Sequence, residues 1–147
     1  MNFIIKLFST GFFIGYIPGA PGSYASVAGA LLWWYLPRQS FYAVFAALFL
    51  ISLLICGRAE ILFNKKDDER IVIDEFLGFF TTVAFLPKNL IVLIAGFVFF
   101  RLFDIKKPFF IKSVQKYSGS AGIILDDILA GIVSNIIIRM MLVFVKI

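Results

Sequence analysis

The stretch IILDDILAGIVSNIIIRMMLVFV, residues 123–145, decides the fold. It is long and apolar enough to cross a bilayer, because about 20 such residues at 1.5 Å rise span the hydrocarbon layer. It nevertheless carries two adjacent carboxylates, Asp126 and Asp127, near its start. A bare carboxylate at membrane depth costs on the order of 3 kcal/mol, so such residues mark cation or proton sites.

The rest of the chain repeats this contrast. Of 147 residues, 61% are hydrophobic, 18% aromatic and 16% charged, far from the balance of a soluble domain. These values predict one integral membrane domain over residues 1–147. Five of the nine acids (Asp74, Glu75, Asp104, Asp126 and Asp127) sit inside or at the mouths of apolar runs. The absence of histidine excludes a Ser-His-Asp triad, a histidine phosphatase and any zinc site that needs imidazole. The single Cys56 forms no intramolecular disulfide and no metal or redox pair. A formal charge of +5 spread among apolar segments, with no basic soluble face, points to anionic lipid and away from nucleic acid.

Apolar segments at about 25–36, 40–57, 71–86, 89–103 and 123–145 predict an all-α, polytopic membrane helix bundle. The last reaches spanning length alone and the second does so with its flanks. The first and third are short, which predicts tilted, broken or re-entrant helices covered by protein or a watery cavity. Residues 1–14 read as an interfacial amphipathic helix in preference to a signal peptide, because cleavage would remove or expose the motif residues that follow. GYIPGAPGSYAS, residues 15–26, reads as an irregular loop, with Ser23 and Ser26 placed to cap a helix starting near Tyr24.

Basic residues bias loops toward the cytoplasm. With the chain alternating sides at each segment, Lys6, Arg58, Lys65, Lys66, Arg70, Arg101, Lys106, Lys107, Lys112 and Lys116 share one side. Only Arg38, Lys88, Arg139 and Lys146 face the other, a split of ten against four. This places the 15–26 loop and all five membrane-associated acids at the cytoplasmic face.

Hard carboxylate oxygens suit Mg²⁺, commonly held by a few carboxylates together with water and substrate phosphate oxygens. Adjacent helical residues point about 100° apart, so one member of each acidic pair can face a cavity while its neighbour supports it. A competing reading has acids at helix starts merely complementing the helix dipole. Arg101 and Asp104, spaced i and i+3, form an ion pair on one face. Arg101 and Lys107 can grip a phosphate, the first with two parallel hydrogen bonds and the second as a point charge. Lys112 and Lys116 read as ordinary positive flanks. Gly22 and Ser23 lie in a Gly-rich loop that can offer backbone N–H groups to an anion. Spacing excludes the thiol-phosphatase loop at Cys56, the second aspartate of aspartyl-phosphate phosphatases at Asp104, and a P-loop. Metal-assisted attack of water on phosphorus remains. The rival reading is a small cation or proton transporter using the same carboxylates, which predicts acids spread through the membrane depth.

Read together, IVIDEFLGFF, FRLFDIKKPFFIKSVQKYSGSAGIILDDILAGIVSN and GYIPGAPGSYAS resemble the phosphatidylglycerophosphatase A family over nearly the whole chain. That resemblance implies a Mg²⁺-dependent, multi-pass enzyme of the bacterial inner membrane. Its expected activity removes the terminal phosphate of phosphatidylglycerophosphate, an anionic lipid, at the cytoplasmic side. By position, the family's acidic motif falls on Asp74 and Glu75. Its Arg/Asp and Lys/Pro elements fall on Arg101, Asp104, Lys107 and Pro108, its paired aspartates on Asp126 and Asp127, and a frequent acid on Asp67. Ser23, Ala25 and Asp68-Glu69 stand where the family usually has threonine, glycine and a Pro-Gly turn. On this reading Glu75, Asp126, Asp127 and Asp74 or Asp104 hold one or two Mg²⁺ ions, and Arg101 and Lys107 orient the phosphate.

Overall fold

The computed structural model describes residues 2–114, 116–117 and 119–145, without the side chains of residues 109 and 145. Lys146, counted above toward the less basic side, lies outside the described residues. Within them the chain is helical, with no strand: α1 (Asn2–Ser9), a 3-10 turn (Ile14–Tyr16), α2 (Pro21–Tyr35), α3 (Arg38–Phe63), α4 (Ile73–Val83), α5 (Leu90–Lys106), α6 (Phe109–Val114) and α7 (Ser120–Val145).

Two helices, Arg38–Phe63 and Ser120–Phe144, are long and apolar enough to cross a membrane. Their settings differ. Only 17% of the most apolar stretch of α3 is buried, against 50% for α7. An apolar helix exposed over most of its surface is costly in water and ordinary in lipid. On α3 the outward side chains include Leu50, Leu54 and Ile61, and on α7 Met140, Val143 and Phe144.

The short third segment is α4, whose 11 residues rise about 16 Å, roughly half a hydrocarbon layer. It is the centre of the core: Leu77, Phe79 and Phe80 are fully buried. It packs most extensively against α7. Small residues make that approach possible. A Cβ on Gly131 would lie 2.5 Å from the Gly78 carbonyl oxygen, and one on Gly78 would lie 2.9 Å from that of Asp127. Between apolar helices in lipid, close packing of this kind does the work that hydrophobic burial does in water.

Where α4 stops, its carbonyls need donors. Asn135 Nδ2 donates to the Thr82 and Ala84 oxygens at 2.7 and 2.9 Å, and Arg139 Nη2 donates to Ala84 at 3.2 Å. Both come from α7, so the carbonyls at this helix end are satisfied by a neighbouring helix.

The expected loop over residues 15–26 is corrected in its second half. Helix α2 begins at Pro21, where proline's fixed φ and missing N–H suit the first helical position. The expected serine cap is corrected with it. The cap residue is Ala20, which makes no side-chain hydrogen bond, and the Ser26 hydroxyl bonds back to the Gly22 carbonyl at 2.8 Å. Helix α5 does carry a side-chain cap, with Asn89 Oδ1 accepting from the Val92 N–H at 2.8 Å.

The elements collect at two ends. At one, the Ser120 hydroxyl accepts from the Gly57 N–H at 2.7 Å and the Val72 N–H donates to Ser9 at 2.8 Å. These contacts gather the end of α3 and the starts of α4 and α7. At the other, Lys88 Nζ donates to the Leu36 carbonyl at 2.8 Å and Arg139 reaches Ala84.

Candidate active site

The start of α4 is fixed by the N-terminal segment. Gly15 lies so close to the Arg70 carbonyl that no side chain fits between them. Held there, Asp74 and Glu75 occupy the first turn of α4, and Asp127 reaches the same point from α7. One oxygen from each of these three carboxylates lies within 4.8 Å of the other two.

All three are enclosed, and Asp74 Oδ1, Glu75 Oε2 and Asp127 Oδ2 are buried without a hydrogen-bond partner among the described residues. Leaving one such group unsatisfied costs about 1–3 kcal/mol, and more if charged. Three at one point exceed anything the dipole of α4 offers, at about 0.3–1 kcal/mol for each first-turn acid. The dipole also does nothing for Asp127, which lies two turns into α7. The cluster can hold a metal ion, and its oxygen-only donors fit a hard divalent cation.

Asp104 and Asp126 are placed differently. Asp104 is ion-paired with Arg101 Nη1, one turn earlier on α5. Asp126 Oδ2 accepts from Lys107 Nζ at 2.6 Å. Lys107 ends α5 in the left-handed region, φ 39°, immediately before Pro108, and this bend turns its side chain toward α7. Burial opposes the charged ammonium, but the hydrogen bond to Asp126 and the carboxylates of Asp126, Asp127 and Asp104 outweigh it and raise its pKa.

A cavity of about 270 Å³ opens over these groups, lined by Asp74, Glu75, Asp104, Lys107, Asp126 and Asp127 among others. Gly22, in the first turn of α2, packs against Glu75 and Arg101. A Cβ there would collide with the Glu75 carboxylate and lie 3.3 Å from Arg101 Nη1. The Ser23 N–H bonds to the Ala20 carbonyl at 3.0 Å, so it serves the turn. Arg101 Nε is buried without a partner among the described residues, which leaves a donor for an anion beside the carboxylates.

Sequence reading did not single out Asp68, which also lines the cavity. Its two oxygens take Arg70 Nε and Nη2 at 2.7 and 2.9 Å, and Arg70 lies over the Phe63 ring at 4.2 Å. The Asp-x-Arg spacing was the available signal. Gly78 and Gly131 were likewise readable only as small residues, four or fewer positions beyond Glu75 and Asp127.

Two long apolar helices thus accompany a buried acidic cluster with Arg101 and Lys107 beside it. Residues 7–142 match the family described as Phosphatidylglycerophosphatase A, and the chain belongs to that family. A Haemophilus influenzae protein named Phosphatidylglycerophosphatase A is 36% identical over 91% of this chain and 86% of its own. An Escherichia coli K12 protein of the same name is 35% identical over 87% and 77%. A Bacteroides thetaiotaomicron protein named "Putative phosphatidylinositol-3-phosphatase" is 30% identical over 93% and 92%. No solved structure matches.

Proposed function

We propose that the chain is a single-domain, multi-pass phosphatase of the bacterial inner membrane that hydrolyses the terminal monoester of phosphatidylglycerophosphate to phosphatidylglycerol. One observation carries the reading. Three carboxylate oxygens and one guanidinium nitrogen, unpartnered among the described residues, are buried in one region, an arrangement that suits a divalent cation and a phosphate together. The family and its named relatives supply the lipid.

Asp74, Glu75 and Asp127 would hold Mg²⁺, which when bound neutralises charge on the phosphoryl oxygens. Arg101 and Lys107 grip the monoester, exchanging part of their contact with Asp104 and Asp126 for phosphate oxygens. The P–O ester bond breaks as the water oxygen bonds to phosphorus. A cavity carboxylate takes the water's proton and passes it to the leaving glycerol oxygen, which departs as an alcohol. Lys66, Arg70, Arg101 and Lys107 lie at the cavity's end of the molecule, which supports a cytoplasmic orientation. Its acids gather at one end and are not strung through the membrane depth, which favours hydrolysis over ion transport.

The Bacteroides relative favours a second reading of the head group, a phosphomonoester on inositol. The test is phosphate release by purified protein in detergent, with and without chelator. Phosphatidylglycerophosphate, phosphatidylinositol 3-phosphate, phosphatidic acid and a water-soluble monoester are compared. Chelator-sensitive release, fastest from phosphatidylglycerophosphate, is expected. Preference for the inositol lipid would replace the substrate, and release indifferent to chelator would remove the metal.

A further inference from the structure

A second polar cavity, of about 260 Å³, opens beside the carboxylate site, lined by Glu60, Lys66, Asp67, Tyr117 and the start of α7. We infer that it binds the hydroxyls of a polyol, the alcohol whose phosphate monoester occupies the carboxylate cavity. This inference rests on the proposed phosphatase activity and names the class of alcohol that the activity releases.

The two cavities share a wall. Asp67 lines both. On α7, Gly122 and Ile123 line the second cavity and Asp126 and Asp127 the first. Each pair is four residues apart, which puts both cavities along one helix face, about 6 Å from each other on the axis. A phosphate in the first cavity thus leaves the hydroxyl-bearing carbons, a few bonds further on, to enter the second. At about 260 and 270 Å³ each cavity is smaller than the roughly 300–1,000 Å³ usual for a small-molecule site, and the pair suits a head group in two parts.

The lining decides what enters. Glu60 and Asp67 bring two carboxylates against the one ammonium of Lys66, so the cavity has no positive excess with which to hold a second phosphate. Hydroxyls are neutral and match the set: carboxylates accept from them, an ammonium donates to them, and the Tyr117 hydroxyl does either. An acyl chain would strip water from these polar groups and return no hydrogen bond. The walls are also held. The Asp67 N–H donates to Glu60 Oε1 at 2.8 Å, and Asp67 takes left-handed backbone, φ 50°, which aspartate adopts more readily than most residues. Gly122 lies so close to the Tyr117 carbonyl that no side chain fits between them, which seats Tyr117 against the first turn of α7. A Cβ on Gly119 would meet nothing within 4 Å, so that side of the cavity is open.

Two measurements on the full chain in detergent with Mg²⁺ test the assignment. The first reads occupancy without turnover. Maleimide labelling of Lys66→Cys is timed with 3,4-dihydroxybutylphosphonate, whose P–C bond resists hydrolysis, and with butylphosphonate, which lacks the hydroxyls. Slowing of at least about fivefold by the dihydroxy compound alone is expected, at concentrations where it suppresses phosphate release. Equal slowing by both compounds, or by neither, would overturn the subsite. The second compares kcat/KM for phosphatidylglycerophosphate, phosphatidylinositol 3-phosphate and phosphatidic acid, whose phosphate adjoins no free hydroxyl. In Tyr117→Phe and Lys66→Met the ratio of polyol lipid to phosphatidic acid should fall about tenfold, the scale of one lost hydrogen bond. A fall confined to the glycerol or the inositol lipid identifies the polyol. Unchanged ratios, or equal losses on all three lipids, would overturn the proposal. Absence of phosphate release from every lipid by the unaltered chain would instead remove the phosphatase reading.

Discussion

Three carboxylates whose oxygens lie within 4.8 Å of one another repel unless a cation shares their charge. Asp127→Asn keeps the shape and removes one charge, so chelator-sensitive phosphate release should fall at least about 100-fold, the upper range for lesser changes around bound metals. Circular dichroism should remain that of the native chain. Arg101→Lys replaces a planar fork by a point charge and should raise KM about tenfold for the monoester, as measured by initial rates. Asp68 supplies a pH test. Hydrogen bonds from Arg70 hold its carboxyl below the usual carboxylate range. A folded pKa below the unfolded value means that its stabilisation is complete above about pH 4 and is lost as pH falls through the lower folded value. Asp68→Asn should flatten that acid-side decline in a thermal-unfolding series. At this scale the sequence told which residue types mattered but not their partners. The 100° argument separates Asp126, on Lys107, from Asp127, in the cluster. It does not foresee that Asp74 and Glu75 both join the cluster, because their convergence depends on where α7 lies.

Helix α4 is the element on which the site turns. Its first turn supplies two of the three clustered acids, and its last turn is closed by Asn135 and Arg139 of α7. Asn135→Ala would leave buried carbonyls without donors, at about 1–3 kcal/mol, and a lower Tm in detergent is expected. Gly131→Val would force α4 and α7 apart at the Gly78 carbonyl. It should lower Tm and also weaken the Tm rise on adding Mg²⁺, since the same two helices carry the cluster. The shortness of α4 was legible in the apolar run. Its polar cap was not, because Asn135 sits more than fifty residues from the carbonyls it serves. Nor was the start of α2 at Pro21, where abundant glycine, proline and serine imitate a loop.

Across the whole molecule, charge and apolar surface are sorted together. Lys66 lines a cavity at the carboxylate end, whereas Lys88 joins Leu36 at the other. Cysteines placed at 66 and 88 should therefore label from opposite sides of sealed vesicles, and the native Cys56, being buried, should give little background. Labelling from one side would refute the proposed multi-pass topology. Composition and segment length determine that the chain is helical and apolar-faced, because a helix satisfies its own backbone wherever water is scarce. The motif residues likewise identify the family without coordinates. Which oxygens meet, which cation each remaining acid takes, and which wall lies beside the head group are decided only in three dimensions. These are contacts between helices distant in sequence, set by glycine-sized gaps and by donors on facing helices, and no local pattern encodes them.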